Sequence, residues 1–507
     1  MQVQKIIFFL LFVLGYALHS SAQIVVKDTE NNKNIAGATY NFKLLSDKKW
    51  IKGVSDANGI IYYPESWENQ LVWIQIYHPN YGVSEDTLKA NKNAILSITE
   101  KTIVLNDIVL TAQYKEGNAN DAVHKINVIT ADKIEKMAAV NLRDVLSNEL
   151  NVRIQQDNIL GAGVSMQGIR GENVKIMIDG VPVIGRQNGN VDISQINLND
   201  VERIEIIEGP LSVNYGTNAL AGTINIITKK KSKKVINLEY FNYLETIGTH
   251  NNSVALAHQS KIGRFALSGN RNYFDGWNPG DKIGDNFKAI FPDSSRFMAW
   301  KPREQYNGRL SYYTKYKKLE IGLKTEYFKE TIINRGLPRG AFGQLAFDDY
   351  YYTTRWDNAL MLDGKVNKTH QFKTVSSYNF FERQKNTYVN DLTSENQFLR
   401  TEQGDQDTSN FNLWMSRGSI FRAKDSAKVN YEIGYDINYE STTGVRIENQ
   451  RQSIGDFALF SSAEITPIKN LVIRPGLRYA YNTAYQAPVI PSINLKKDWG
   501  KGYKYTY

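Results

Sequence analysis

From residue 235 to its end the chain alternates apolar or tyrosine residues with polar ones, in runs of about ten residues that suit a membrane-crossing strand. Leu319, Ile321, Leu323, Thr325 and Tyr327 alternate with Glu320, Gly322, Lys324 and Glu326. Tyr306, Leu310, Tyr312, Thr314 and Tyr316 stand against Asn307, Arg309, Ser311, Tyr313 and Lys315. Tyr431, Ile433, Tyr435, Ile437 and Tyr439 stand against Glu432, Gly434, Asp436, Asn438 and Glu440. Neighbours in a strand point to opposite faces, so each run has an apolar, tyrosine-rich side and a charged side. Lipid outside and a polar interior inside satisfy both. A soluble sandwich also alternates, but with shorter strands and fewer tyrosines than the 30 of this chain.

Connection lengths alternate as well. Short turns are expected near 261–263, 317–318, 367–369, 424–426 and 466–470, and long polar stretches near 274–304, 330–354, 383–408 and 441–455. Periplasmic turns and extracellular loops of a barrel have this asymmetry. About twelve strands result, with a thirteenth starting near Tyr503.

The start of the chain indicates export. Lys5 precedes an apolar run from Ile6 to Leu18, and Ser20-Ser21-Ala22 offers small residues before Gln23. Residues 1–22 therefore read as a signal peptide, and the absence of cysteine excludes a lipoprotein anchor. No later stretch approaches 18 consecutive apolar residues. The net charge of +9 does not imply nucleic acid, because the one dense basic cluster is Lys229-Lys230-Lys231-Ser232-Lys233-Lys234. No Ser/His/Asp, Cys/His or phosphate-loop constellation occurs, and none of the 6 histidines has a glutamate at zinc-ligand spacing. Neither an enzyme nor a metal or cofactor is expected.

Three units precede or begin the strand region. Residues 23–105 carry short apolar runs, Ile24-Val25-Val26 and Leu71 to Tyr77, between turn signals at Asn31 to Asn34 and Asp56-Ala57-Asn58-Gly59, which suggests a β-sandwich. The segment Gly53 to Ile60 resembles the strand–turn–strand of carboxypeptidase-regulatory-like domains. Residues 106–120 are a polar linker holding one apolar island, Asp107-Ile108-Val109-Leu110-Thr111-Ala112. That island has two local readings, the last strand of the sandwich or a segment that a partner captures by strand addition. Residues 121–230 alternate helix and strand. Thr130 and Asn141 are candidate N-caps, Leu142, Val145 and Leu146 share a helix face, and Val174 to Ile178, Val201 to Ile207 and Thr223 to Ile227 read as strands.

The motifs of that α+β unit resemble the plug of TonB-dependent receptors. Met166-Gln167-Gly168-Ile169-Arg170-Gly171, Asp179-Gly180-Val181-Pro182, Val201 to Pro210 and Asn214 to Thr228 carry the resemblance. One departure is Glu208, where the family commonly has Arg or Lys before Gly-Pro.

The resemblance implies a plug seated in a barrel. The expected fold class is mainly β: a sandwich at 23–105, an α+β plug at 121–230 and an antiparallel transmembrane β-barrel over 235–507. A lumen that holds such a plug calls for roughly 22 strands, so the barrel is expected to be incomplete, with about 12 of them. The family also implies that Asp107, Ile108, Val109, Leu110, Thr111 and Ala112 form a TonB box. TonB and its inner-membrane proton-driven complex would be partners, and the cell outer membrane of a gram-negative bacterium the site of action. The expected function is import of a ferric siderophore, haem or a cobalamin-like ligand. The alternatives are import of oligosaccharide or peptide with a surface lipoprotein, and a non-transporting receptor or adhesin. Arg170, Glu202, Arg203 and Glu205 are expected in a plug polar network. Trp277, Trp300, Arg335, Arg339, Tyr350, Tyr351 and Tyr352 are candidate ligand-contacting loop residues.

Overall fold

The computed structural model describes residues 22–29, 32–47, 50–78, 81–91, 94–98, 108–109, 111, 114, 117–119, 122–232, 234–278, 296–424, 427–468, 470–498 and 504–506. Of the expected leader at 1–22, residues 1–21 lie outside them, and Ala22 opens the first strand. The chain divides into two compact units, Met1–Asn106 and Asp107–Tyr507.

The first unit holds two sheets on one core. In one, Ala22–Asp28 lies between Ile60–Tyr63, antiparallel, and Ala94–Ile98, parallel. The other orders Ile51–Val54, Thr39–Leu44, Leu71–His78 and Gly82–Lys89, all antiparallel. Period-two patterning decides what is buried: Ile24 and Val26 from the first sheet meet Phe42, Val72, Ile74 and Ile76 from the second. The turn read at Asp56 to Gly59 forms because the Asp56 carboxylate accepts the N–H groups of Asn58 and Ile60, at 2.9 and 2.8 Å.

Within the second unit, residues 126–228 form a five-stranded sheet. Its order is Ile126–Thr130, Val201–Glu208, Gly222–Thr228, Val174–Ile178 and Val181–Pro182. The Thr130 hydroxyl caps the helix Ala131–Lys136, and Asn141 caps Leu142–Leu146. The second helix completes a capping box through Asp144, a pairing the sequence reading had not included. Val174–Ile178 and Gly222–Thr228 are buried at every position, the polar side chains of Lys175, Thr223, Asn225 and Thr228 included. Ile176, Ile204, Ile206, Ile224 and Ile226 pack with Leu142, Val145 and Leu146. Gly171 of the Arg-Gly motif cannot carry a side chain without striking the Val164 carbonyl and the Asn190 amide.

Residues 236–506 form a 14-stranded sheet in which thirteen strands follow one another and Gln397–Leu399 pairs off that path. Every pair along the path is antiparallel, from Ile236–Glu245 to Lys504–Thr506. The alternation sorts as expected. Asn307, Arg309, Ser311, Lys324, Glu326, Glu432 and Asp436 are buried on the inner face, whereas Tyr306, Leu323, Tyr327, Ile433 and Tyr439 are exposed on the outer one.

The strands are longer than expected. Leu345–Lys365 has 21 residues and His370–Asp391 has 22, about twice what crosses hydrocarbon. The stretches near 330–354, 383–408 and 441–455 are therefore largely strand, and the connections proper are 335–344, 392–405 and 445–450. Loss of apolar residues marks the end of the lipid-facing band, but the hydrogen-bonded ladder continues past it.

Candidate functional site

The described residues of the apolar island, Ile108, Val109 and Thr111, belong to neither sheet of the sandwich, and Thr111 is bonded to the α+β unit. Ile108–Val109 pairs with Gly117–Asn118, and Val109 has no exposed surface. The backbone N–H of Thr111 donates to Glu205 Oε2 at 2.7 Å, and Asn225 Nδ2 donates to the Thr111 hydroxyl at 2.8 Å. Asp107, Leu110, Ala112 and the side chain of Ile108 lie outside the described residues.

Local strand chemistry builds this grip. In Val201–Glu208, Ile204 and Ile206 face the core, which turns Arg203 and Glu205 to the opposite face. Glu205 stands directly across from Asn225 on the next strand, so two polar side chains meet one residue of the tether. Arg203 Nε donates to Glu205 Oε1 at 2.7 Å and also pairs with Glu202. Further along, the Tyr114 hydroxyl lies 3.0 Å from Ser462 Oγ, and the Arg474 guanidinium sits 4.3 Å from the Tyr114 ring centre.

Arg170 is placed apart from that network. It is exposed and makes no ion pair among the described residues. Glu208 is anchored instead within its own unit, accepting from Lys125 at 3.0 Å and from Asn151 at 2.7 Å. Burial alone would raise the Glu208 carboxyl, but the bonds from Asn151 and Lys125 outweigh it and hold the group below the usual carboxylate range.

The seam between this unit and the strand wall pairs inner acids with wall cations. Asp200 accepts from Arg264 at 3.0 Å, and Asp179 from Lys324 at 2.9 Å. Gln195 bridges Arg355 and Glu330, at 2.6 and 2.8 Å. Burial works against ionisation of Asp179, yet Lys324 and the two bonds from Thr228 keep its carboxyl low. Lys175 is the converse case. Burial, reinforced by Arg417, pushes its ammonium down to about 8, which Asp436 only partly offsets. Sequence reasoning missed these partners. The inner-face position of Lys324 was legible from alternation, but which acid it would meet was not.

Two cavities lie along the seam, both bordered by Tyr215. One of about 570 Å³ lies between Lys175 and Arg186 on one side and Asp436, Glu440 and Arg478 on the other. The second, about 130 Å³, reaches Thr111 and Asn225 on the tether side and Lys373 and Arg417 on the wall.

The loop candidates do not form one cluster. Trp277 and Trp300 pair through their backbones, with ring centres 5.0 Å apart, and Arg335 is exposed. Arg339 lies 5.2 Å from the Phe347 ring, which Arg400 also approaches, at 4.7 Å. Tyr350, Tyr351 and Tyr352 are on the strand Leu345–Lys365, not in a loop. Tyr350 and Tyr352 share the outward face with Trp356 and stack at 6.2 Å. Tyr351 takes the opposite, inward face, where Arg383 sits 5.3 Å from its ring.

A family model described as TonB-dependent Receptor Plug Domain matches residues 118–223. The chain is 33% identical over 129 residues to the vitamin B12 transporter BtuB of Vibrio cholerae serotype O1, a match covering 25% of this chain and 21% of that one. The BtuB of Vibrio vulnificus is 32% identical over 123 residues, covering 24% and 20%. Among solved structures, a mutant ferric enterobactin receptor (PfeA) of Pseudomonas aeruginosa superposes with TM-score 0.60 at 15% identity, covering 76% of this chain and 61% of that one. The siderophore receptor PirA of Acinetobacter baumannii gives TM-score 0.58 at 15% identity, covering 74% and 59%. The structural likeness is one of fold, and the aligned part of this chain spans about a fifth of the curated relatives' length.

Proposed function

We propose that the chain, whose residues 118–223 match the TonB-dependent receptor plug family and whose strand sheet has the fold of such receptors, imports a scarce, bulky nutrient across a bacterial outer membrane, driven through TonB. The observation that carries this reading is the grip on Thr111. At Thr111 the tether is held by one hydrogen bond to a carboxylate and one from an amide, polar contacts that a partner can displace without unfolding the core behind them.

On this reading residues 107–112 are the TonB box. Ligand binding outside frees them, and TonB adds its own strand to the extended segment. Force applied there loosens the plug along the polar seam and opens a path past it. No described helix is long and apolar enough to cross a membrane; the crossing elements are the strands.

For the ligand we favour a ferric siderophore or a cobalamin-like compound. The relatives are named for vitamin B12, enterobactin and siderophores, and Arg383 on Tyr351, with Arg339 and Arg400 on Phe347, offers cations and rings to an anionic chelate.

The test is accumulation of radiolabelled ferric siderophore or cobalamin by cells carrying the receptor, alone or as Val109→Pro. Proline removes a backbone donor that strand addition needs. Accumulation should fall to the level of cells lacking TonB. Uptake that ignores the substitution would sink energised import.

A further inference from the structure

The two ends of the strand wall differ in charge. The connections at one end, 261–262, 317–318, 366–369, 423–428 and 469–470, carry seven lysines and a single acid, Asp425. The connections at the other end, 246–248, 275–302, 335–344, 392–405, 445–450 and 483–489, carry eight basic and eight acidic residues. The asymmetry is therefore a property of the short-turn end and not of the basic chain as a whole.

Six of these lysines, Lys261, Lys317, Lys318, Lys368, Lys424 and Lys428, are described, and all are exposed. None is in an ion pair among the described residues. Three acids near that end are already matched by other lysines: Glu239 by Lys229, Asp363 by Lys230, and Glu320 by Lys315. Neighbouring strands lie about 4.8 Å apart, so successive hairpin turns are about 10 Å apart, roughly one Debye length. The lysines form an arc of mutually repelling charge whose own turns supply one acid, Asp425, against seven cations.

A second observation fixes the level of this arc. Phe265, Tyr312, Tyr316 and Tyr431 stand on the outer face within a few residues of the same turns, as interfacial aromatics do. Lys317 Nζ lies 5.2 Å from the Tyr316 ring centre, and the Tyr312 hydroxyl donates to the Ile262 carbonyl at 3.2 Å. Their flexible stems let the lysines reach the plane just beyond these rings.

We infer that the short-turn rim is a docking surface for the anionic phospholipid headgroups of the leaflet it meets. The inference rests on the membrane-barrel reading above. Each lysine near a negatively charged bilayer surface contributes about 1 kcal/mol, or about a fivefold preference for anionic over neutral lipid.

The experiment places the full-length receptor in vesicles of phosphatidylcholine alone and of phosphatidylcholine with phosphatidylglycerol. It counts co-purifying lipids by native mass spectrometry, with heat-modifiable migration on gels to report the inserted barrel. Wild type should raise the ratio of phosphatidylglycerol to phosphatidylcholine among the bound lipids about fivefold or more over the ratio in the vesicle. Replacing Lys317, Lys318, Lys368 and Lys424 with glutamine should abolish the enrichment, arginine at the same positions should restore it, and 0.5 M salt should weaken it. Insertion into both vesicles without an anionic preference, or an equal preference in the glutamine variant, would overturn this inference alone. So would loss of the preference to millimolar inorganic phosphate at constant ionic strength. Failure to insert into either vesicle would overturn the membrane reading together with it.

Discussion

Glu205→Gln isolates the charge in the bond that holds the tether. Glutamine keeps the length of the side chain and an acceptor oxygen for the Thr111 N–H, while Arg203 retains Glu202 as a partner. A hydrogen bond to a charged group is worth about 1.5–3 kcal/mol and a neutral one about 0.5–1.5 kcal/mol, so the substitution weakens the grip by about 1 kcal/mol. That raises the released fraction of the tether about fivefold. The chain has no cysteine, so a thiol introduced as Val109→Cys is the sole reactive one, and it starts without exposed surface. Maleimide can reach it only from the released state. The labelling rate of Val109→Cys should therefore rise about fivefold when Glu205→Gln is added, with the melting temperature of the barrel unchanged. An unchanged labelling rate would mean that the carboxylate does not hold the tether, and the reading of Thr111 as the point of attachment would fall with it.

Two further outcomes follow from the seam and the lumen. Lys175, pushed down to about 8 in the folded plug against about 10.4 unfolded, binds fewer protons when folded across that interval, so plug stability should rise between pH 8 and pH 10. Urea titrations at stepped pH should show the slope in wild type and lose it in Lys175→Met; a slope that persists would assign it elsewhere. If the ligand is the anionic chelate proposed above, Tyr351→Ala, on the inward face, should weaken its binding by about tenfold, as loss of an aromatic partner to Arg383 predicts, whereas Tyr350→Ala on the outward face should leave it unchanged in isothermal titration. Equal effects of the two would contradict the facing assigned from the strand register.

What was legible in the sequence was whatever depends on neighbours along the chain. Period two placed Arg309, Lys324, Glu326 and Asp436 on the inner face, and the N-caps at Thr130 and Asn141 follow from side chains that satisfy amides three residues on. What was not legible depends on meetings between distant segments. Thr111 and Glu205 are 94 residues apart, Asp200 and Arg264 are 64 apart, and Asp179 and Lys324 are 145 apart. Any inner-face acid was a plausible partner for any inner-face cation until the register of plug against wall was fixed. The tyrosines at 350–352 were misread for a related reason: polar composition suggested a loop, while the ladder to His370–Asp391 keeps them extended and alternating.

The grip on the tether also has a place in the wider contact pattern. Asn225, which donates to Thr111, uses its amide oxygen to accept the Gly180 N–H at 3.1 Å. The preceding residue, Asp179, binds Thr228 Oγ1 at 2.7 Å and Lys324 of the wall at 2.9 Å. Tether, central plug strand, turn and barrel wall are thus joined through four polar residues in succession. Glu205 and Asn225 sit on the second and third strands of the five in the plug sheet, so a pull on Thr111 loads the sheet's interior and not an edge. The bonds along this route are each worth at most a few kcal/mol, whereas the core behind them is a cluster of more than twenty buried apolar side chains. The route yields before the core does. Under the proposed pull on Thr111 such a plug would loosen at its seam and reseat, because the part that gives way is polar and local and the part that defines the fold is apolar and shared.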